Sequence, residues 1–352
     1  MSRSMSLEDI LTLACGHDAL REKLVAFCRD MDATVKLEDG STRDQCSGPF
    51  LDAVMRGRVF RKKLACGVVI EMPYGNKISR EFLLSPEPEP DHVWEPQTTK
   101  LLMHLATGVK HVVIGGAYVG DQAVPLARQM QSWGGVCHAF EPEDASCQFL
   151  KRNAEMNTLS NLLCEQAGLW DGDTRISLTG CDSLASPMKT DGDRADGIAA
   201  RSLDSYAAEK GINEVGLIML DTEGGEFAAL RGAESFLTQP VGKAPHLVFE
   251  VHRHHVDWSA GLVATDIVRH VRERGYDVYA VRDYHSNHPM RGQPVELIPC
   301  DGVYLEGPPH GFNMLGIKDP EILTSPMFKI VRGVSPKLLL HRDPTLHQPV
   351  RD

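Results

Sequence analysis

The residues best placed to do chemistry lie between positions 115 and 255. The densest run, Leu220-Asp-Thr-Glu-Gly-Gly-Glu226, follows the apolar stretch Leu217-Ile-Met219. Three carboxylates within six residues repel one another unless a cation, a proton or hydrogen-bond donors neutralise them. Glu226 suits the positive end of a following helix. Asp221 and Glu223 precede that helix and need another partner. A second run, Leu247-Val-Phe-Glu-Val-His-Arg-His-His255, carries His252. A neutral imidazole can take a proton from a hydroxyl near pH 7. Asp221, Glu223 and His252 are therefore the candidate catalytic set. The same three could hold a divalent metal, magnesium being the natural choice for carboxylates and waters. His254 and His255 read as peripheral.

The ligand for such a set is read from a third segment, His111-Val-Val-Ile-Gly-Gly-Ala-Tyr-Val-Gly-Asp121. Glycines at 115, 116 and 120 allow a ligand close to the backbone, and the next helix points its N-terminal amides at it. Ala117 stands where the dinucleotide fingerprint has its middle glycine. Glu141, 21 residues beyond Gly120, ends the next apolar run. A carboxylate there can accept both hydroxyls of a ribose. NAD and S-adenosylmethionine both carry that ribose, and these two elements do not separate them.

The elements that must position these residues alternate. Short apolar runs at 112–114, 136–140, 162–164, 217–220 and 247–251 are separated by helical or turn segments. Short buried strands alternating with helices imply a mostly parallel sheet covered on both faces, a doubly wound α/β fold. Residues 1–90 read as a helical N-terminal extension with a short strand region. It opens on a capping box at Ser6-Leu-Glu-Asp9 and has an apolar helix face at Leu20, Leu24, Val25 and Phe27. The proline-rich Ser85-Pro-Glu-Pro-Glu-Pro-Asp91 is the best boundary. The ligand-binding domain is expected over 91–305. Residues 306–352, rich in proline, read as an irregular C-terminal tail.

The chain has 352 residues and a formal charge of −11. An acidic balance argues against a nucleic-acid-coating protein. No run approaches the roughly 20 apolar residues of a membrane span, and Met1–Ile10 lacks the apolar core of a secretory signal. Nine cysteines without a CxxC pair fit small buried hydrophobes in a reducing cytoplasm.

Taken together, these motifs resemble the FkbM-type methyltransferases, S-adenosylmethionine-dependent enzymes known for methylating hydroxyls of sugars and polyketides. Trp94-Glu-Pro96, Gly116-Ala-Tyr-Val-Gly-Asp121, Phe140-Glu-Pro142, Leu150-Lys-Arg-Asn153 with Asn157, Leu203-Asp204, Leu220–Glu226 with Leu230-Arg-Gly-Ala233, and Phe249-Glu-Val251 carry the resemblance. It covers about 94–279. It implies a Rossmann-like class I methyltransferase sheet. It implies that Gly116, Ala117, Tyr118 and Gly120 line the methionine and ribose side of the cofactor. Glu141 would hold the ribose, with Pro142, Gln166 and Ala167 beside the adenine, and Asp221 near the sulfonium. Two positions depart from the family pattern: Ile114 replaces an acid and Tyr118 an asparagine. Glu95 or Asp121 is the expected substitute for the missing acid.

The expected activity is O-methylation of a small-molecule or glycan acceptor. The N-terminal extension would shape acceptor specificity or form a homodimer. Two other readings stay open at the level of sequence: an NAD-dependent oxidoreductase, and a non-catalytic binding module built on the same fold.

Overall fold

The computed structural model describes residues 4–37, 41–55, 57–179, 186–189, 197–307 and 310–351. Helices α1 (Leu7–Cys15), α2 (Asp18–Thr34) and α3 (Gly48–Met55) come first. The hairpin β1 (Val59–Lys63) and β2 (Val69–Pro73) and helix α4 (Lys77–Leu83) follow. The Ser6–Asp9 capping box forms: the Asp9 N–H donates to Ser6 Oγ at 3.1 Å, and the Ser6 N–H donates to the Asp9 carboxylate at 3.2 Å. The face of α2 differs from the expected one. Val25 and Cys28, one turn apart, are buried, whereas Leu20 and Phe27 are 44% and 54% exposed. The stripe that meets the body is centred on 25 and 28, and Leu20 and Phe27 flank it.

The body begins with α5 (Pro96–Leu105), β3 (His111–Gly115), α6 (Ala123–Met130), β4 (Val136–Phe140), α7 (Asp144–Met156) and β5 (Leu162–Glu165). A small sheet follows, of β6 (Gly168–Leu169), β7 (Thr174–Thr179), β8 (Ser186–Lys189) and β9 (Ile198–Arg201). Then come α8 (Leu203–Lys210), β10 (Leu217–Leu220), α9 (Glu226–Arg231), α10 (Glu234–Leu237), β11 (His246–His252), α11 (Asp266–Glu273) and β12 (Asp277–Val281). The chain ends with β13 (Asp283–Tyr284), β14 (Val295–Pro299), β15 (Gly311–Ile317), β16 (Phe328–Ile330) and β17 (Lys337–Leu338).

Nine strands make the central sheet, in the order β16-β14-β12-β15-β11-β10-β3-β4-β5. Set aside the last two strands at one end, β14 and β16, and the succession is 3-2-1-4-5-7-6. The last strand, β15, runs antiparallel between β11 and β12. This is the doubly wound class I methyltransferase sheet expected from the motifs. Alternate residues of β3 face opposite layers: Val112 and Ile114 pack in one core, Val113 in the other. Burial on both faces is why these strands read as unbroken apolar runs.

The C-terminal segment is a correction. Residues 306–352 are not an irregular tail, because Gly311–Ile317 is the fully buried strand at the heart of the antiparallel half. The stretch beyond β16 is clamped by Arg282, which is inaccessible to solvent. Its Nε and Nη2 donate to the carbonyls of Ser335 and Leu346, both at 2.7 Å, and Nη1 pairs with Glu296. Among the described residues no helix is long and apolar enough to cross a membrane. Eight cysteines are unpaired thiols, and Cys181 lies outside the described residues.

Candidate functional site

In an open α/β sheet, ligands bind at the carboxyl edge where strand order reverses. Here that point lies between β3 and β10. Gly115 is in register with Phe140 and Leu220, and Leu220 with Phe249. The next residue on each strand therefore reaches the same level: Gly116, Glu141, Asp221 and Glu250. Gly116 has φ +76°, and a Cβ there would sit 1.7 Å from the Asp221 carbonyl oxygen. Only glycine lets the turn after β3 close this tightly on β10. The Gly116 and Ala117 N–H groups both donate to the Phe140 carbonyl at 3.0 Å, which fixes the turn against β4.

A cavity of about 1350 Å³ opens over this edge. A site for one small ligand measures about 300–1,000 Å³, so two ligands fit side by side. The sheet supplies one wall. Arg43, Lys77 and Ile78 of the N-terminal region and residues 337–342 supply others. Three of the four non-glycine residues with left-handed backbone among the described residues line it: Glu95, Tyr118 and Glu223, with φ of 48°, 47° and 51°. Each costs about 1 kcal/mol or more, and such strain clusters where geometry serves a ligand.

Glu141 is the best-prepared ligand acceptor. Its Oε2 accepts from the Tyr118 N–H at 2.7 Å and its Oε1 from the Glu143 N–H at 2.8 Å. Each oxygen keeps a lone pair for a hydroxyl. Burial pushes its carboxyl up to about 7, against the two backbone donors. Asp121 lines the same side, and burial pushes it up to about 6. Tyr118 reaches out of the turn, and its hydroxyl accepts from Asn76 Nδ2 at 2.8 Å.

The second wall of the site surrounds Glu95, which is 4% exposed. Asn313 Nδ2 of β15 donates to its Oε2 at 2.8 Å, and His285 Nε2 stands 3.2 Å from its Oε1. Burial and the Asp221 charge hold the Glu95 carboxyl well above its usual range. Lys337 of β17 approaches both ring nitrogens of His285, at 2.5 and 2.7 Å, and donates to the Gly311 carbonyl at 2.7 Å. Burial brings its amine down to about 8.

His252 lines the cavity at the end of β11, among His254, His255 and His310. Burial and these imidazoles bring it down to about 4. The His254 N–H donates to its Nδ1 at 3.2 Å, so the neutral ring carries its proton on Nε2. In this arrangement His252 offers a donor to the cavity, whereas the role expected from sequence is that of a proton acceptor.

Of the expected site residues, Glu95, Gly116, Ala117, Tyr118, Asp121, Glu141, Pro142, Asp221, Glu223 and His252 all line the cavity. Gly120, Gln166 and Ala167 are not in its lining. Gly120 packs where a Cβ would strike Leu150 and Val124. Gln166 turns its amide outward to Asp144, at 2.9 Å. Ala167 is buried among apolar neighbours, and Gly168 and Leu169 face the cavity in its place. Sequence reasoning misses three residues: Glu250, His285 and Lys337. Glu250 leaves a signal, an acid inside the otherwise apolar β11. His285 and Lys337 leave none, because only the pairing of β13 with β17 brings them in.

Residues 115–278 match the methyltransferase FkbM domain. No curated protein matches the chain. Among solved structures, the chain is similar to methyltransferase FkbM from Methylobacillus flagellatus KT, at 17% identity and a TM-score of 0.36. That match covers 59% of this chain and 43% of that one. It is similar also to an O-methyltransferase from Bacillus cereus in complex with SAH, at 14% identity and a TM-score of 0.35, covering 63% and 81% of the two chains. A SAM-dependent methyltransferase from Agrobacterium tumefaciens gives 11%, 0.38, 73% and 69% in the same terms.

Proposed function

Because the chain carries a domain of the FkbM methyltransferase family over residues 115–278, we propose that it transfers a methyl group from S-adenosylmethionine to a hydroxyl of a sugar or polyketide-like acceptor. The observation that carries this reading is the Gly116 turn closed on Asp221, with the doubly anchored Glu141 beside it at the switch point. Bound there, the cofactor supplies an electrophilic methyl on a good leaving group. The protein's own task is then to hold two molecules in line and to manage one proton.

Glu141 accepts the two ribose hydroxyls through its remaining lone pairs. Pro142 and Leu169 flank the adenine. Asp121, with no side chain bound to its carboxylate among the described residues, takes the amino group of the methionine end in place of the acid missing at Ile114. Glu95 is less suited to that role, since Asn313 and His285 already occupy its oxygens. The acceptor enters from the side walled by Lys77, Trp94 and residues 337–342. His252 Nε2–H donates to an acceptor oxygen, and Lys337 Nζ receives the hydroxyl proton. An amine near 8 is better matched to that transfer at neutral pH than an imidazole near 4.

The test is incubation with methyl-labelled S-adenosylmethionine and a panel of hexoses, nucleotide sugars and macrolides, with mass spectrometry of the products. Label is expected on a hydroxyl oxygen. Lys337→Met is expected to lower kcat by about 10²–10⁴-fold with cofactor affinity kept. Near-wild-type turnover in that variant would remove Lys337 from the mechanism. Binding of NADH in place of S-adenosylhomocysteine would favour the oxidoreductase.

A further inference from the structure

Four acids converge where β10 and β11 end: Asp221, Glu223, Glu226 and Glu250. Glu226 is accounted for. Its Oε1 accepts from the Thr222 N–H at 2.7 Å and the Thr222 hydroxyl at 2.9 Å, and its Oε2 from the Gly224 N–H at 3.1 Å. Buried acids around them are also served. Glu141 has two backbone donors, Glu95 has Asn313 and His285, and Asp283 has the N–H groups of Gln97 and Thr98 at 3.0 and 2.6 Å.

Asp221, Glu223 and Glu250 are the exception. Among the described residues none of the three carboxylates accepts a hydrogen bond or forms an ion pair within 4.0 Å, although the Lys337 amine attracts Glu250 from farther away. Glu250 Oε2 is buried with no partner. A buried polar atom left without a partner is costly, and native structures satisfy nearly all of them. One oxygen from each of the three lies within 4.8 Å of the others. Oxygens around a six-coordinate ion with bonds of about 2.1–2.6 Å stand about 3–5 Å apart. Gly311 makes the approach possible: a Cβ on it would sit 2.3 Å from Glu250 Oε1. The fold has thus gathered three hard anionic donors, left them without internal partners, and aimed them into the cavity beside the glycine turn.

We propose that Asp221, Glu223 and Glu250 bind one hard divalent cation, Mg²⁺ or Mn²⁺, through one oxygen each. Carboxylate donors without nitrogen or sulfur select such ions over softer ones. Three protein ligands leave the remaining positions to water or to acceptor oxygens. An acceptor with two neighbouring hydroxyls could occupy two of them, which would orient one hydroxyl toward the methyl group. This last step rests on the methyl-transfer reading, but the cation site itself does not. The donor set differs from the one drawn from sequence, since Glu250 takes the place of His252.

The experiment titrates the full-length protein with MnCl₂, without cofactor or acceptor, and reads free Mn²⁺ by electron paramagnetic resonance. One Mn²⁺ per chain is expected, displaced by Mg²⁺. Glu250→Gln and Asp221→Asn should each weaken binding by at least tenfold. A rise in the wild-type melting temperature on adding Mn²⁺ gives a second readout that needs no variant. Absence of saturable binding, or equal affinity in Glu250→Gln with its circular dichroism unchanged, would overturn the proposal. S-adenosylhomocysteine titrated in parallel separates the two ideas. Its binding without Mn²⁺ binding removes the cation alone, and Mn²⁺ binding without it removes the methyl-transfer reading alone.

Discussion

Two asparagines four residues apart, Asn153 on α7 and Asn157 at its C-terminal cap, hold the N-terminal hairpin against the body, and removing one should be severe. Asn153 is inaccessible to solvent. Its Oδ1 accepts from the Glu71 N–H at 2.8 Å, and its Nδ2 donates to the carbonyls of Glu71 and Val119, both at 2.8 Å. Asn157 repeats the clamp on Val69, at 2.7 Å in each direction. The amides thus act as a missing strand along the outer edge of β2. Asn153→Ala leaves three backbone groups without partners, the two of Glu71 half-buried and the Val119 carbonyl buried. At about 1–3 kcal/mol each, with some relaxation, the loss is about 3–5 kcal/mol. Asn153→Asp keeps the acceptor but sets a carboxylate against two carbonyls, so it should be at least as damaging. Urea unfolding followed by tryptophan fluorescence reads both. Because Val119 lies in the glycine turn, cofactor affinity should fall as well. A loss below about 1 kcal/mol in Asn153→Ala, or a well-tolerated Asn153→Asp, would refute this account of the interface.

Glu141→Ala should raise the Kd for S-adenosylhomocysteine by about 10²-fold, the loss of two charge-assisted hydrogen bonds, measured by calorimetry; an unchanged Kd would move the ribose elsewhere. The same variant carries a pH signature. The folded protein binds the Glu141 proton more tightly than the unfolded chain, about 7 against 4.5. That contribution is therefore favourable in acid and is lost as pH rises through 7. The destabilisation caused by Glu141→Ala should accordingly shrink between pH 5 and pH 8, by about 2.5 kcal/mol at about 1.36 kcal/mol per unit. Growth of that difference with pH would reverse the sign and contradict the assignment. Arg282→Met should cost about 3–5 kcal/mol, because it leaves Glu296 buried without its counter-ion and frees the Ser335 and Leu346 carbonyls. Limited proteolysis should then cut first after residue 335; an unaltered digestion pattern would show that Arg282 does not anchor the segment.

The parallel half of the sheet is legible in the sequence because each buried strand is a short apolar run closed by glycine or acid. The turn at Gly116 and the carboxylate at Glu141 are legible because the glycines follow one apolar run directly and the acid closes the next, 21 residues beyond Gly120. The antiparallel strand β15 is not. Its sequence Gly311-Phe-Asn-Met-Leu-Gly-Ile317 carries Asn313, which serves Glu95, and Gly311, which makes room for Glu250. Both break an apolar pattern for reasons that lie on other strands. Lys337 is invisible for the same reason, since a lone lysine in a proline-rich stretch acquires meaning only through the pairing of β17 with β13. The exposed side of α2 escapes the periodicity because spacing fixes a helical face but not which neighbour covers it. Which nitrogen of His252 is left free is not legible from residue type alone, since the His254 N–H that occupies its Nδ1 comes from the turn after β11.

Calorimetric titration of the purified protein with S-adenosylhomocysteine, beside Gly116→Ala, tests the central claim most directly. Micromolar, one-to-one binding is predicted for the wild type. It should be absent in Gly116→Ala, whose added methyl would meet the Asp221 carbonyl. Failure of the folded wild-type protein to bind would contradict the claim that the edge between β3 and β10 is a methyl-donor site, and would leave the fold as a binding module of another kind.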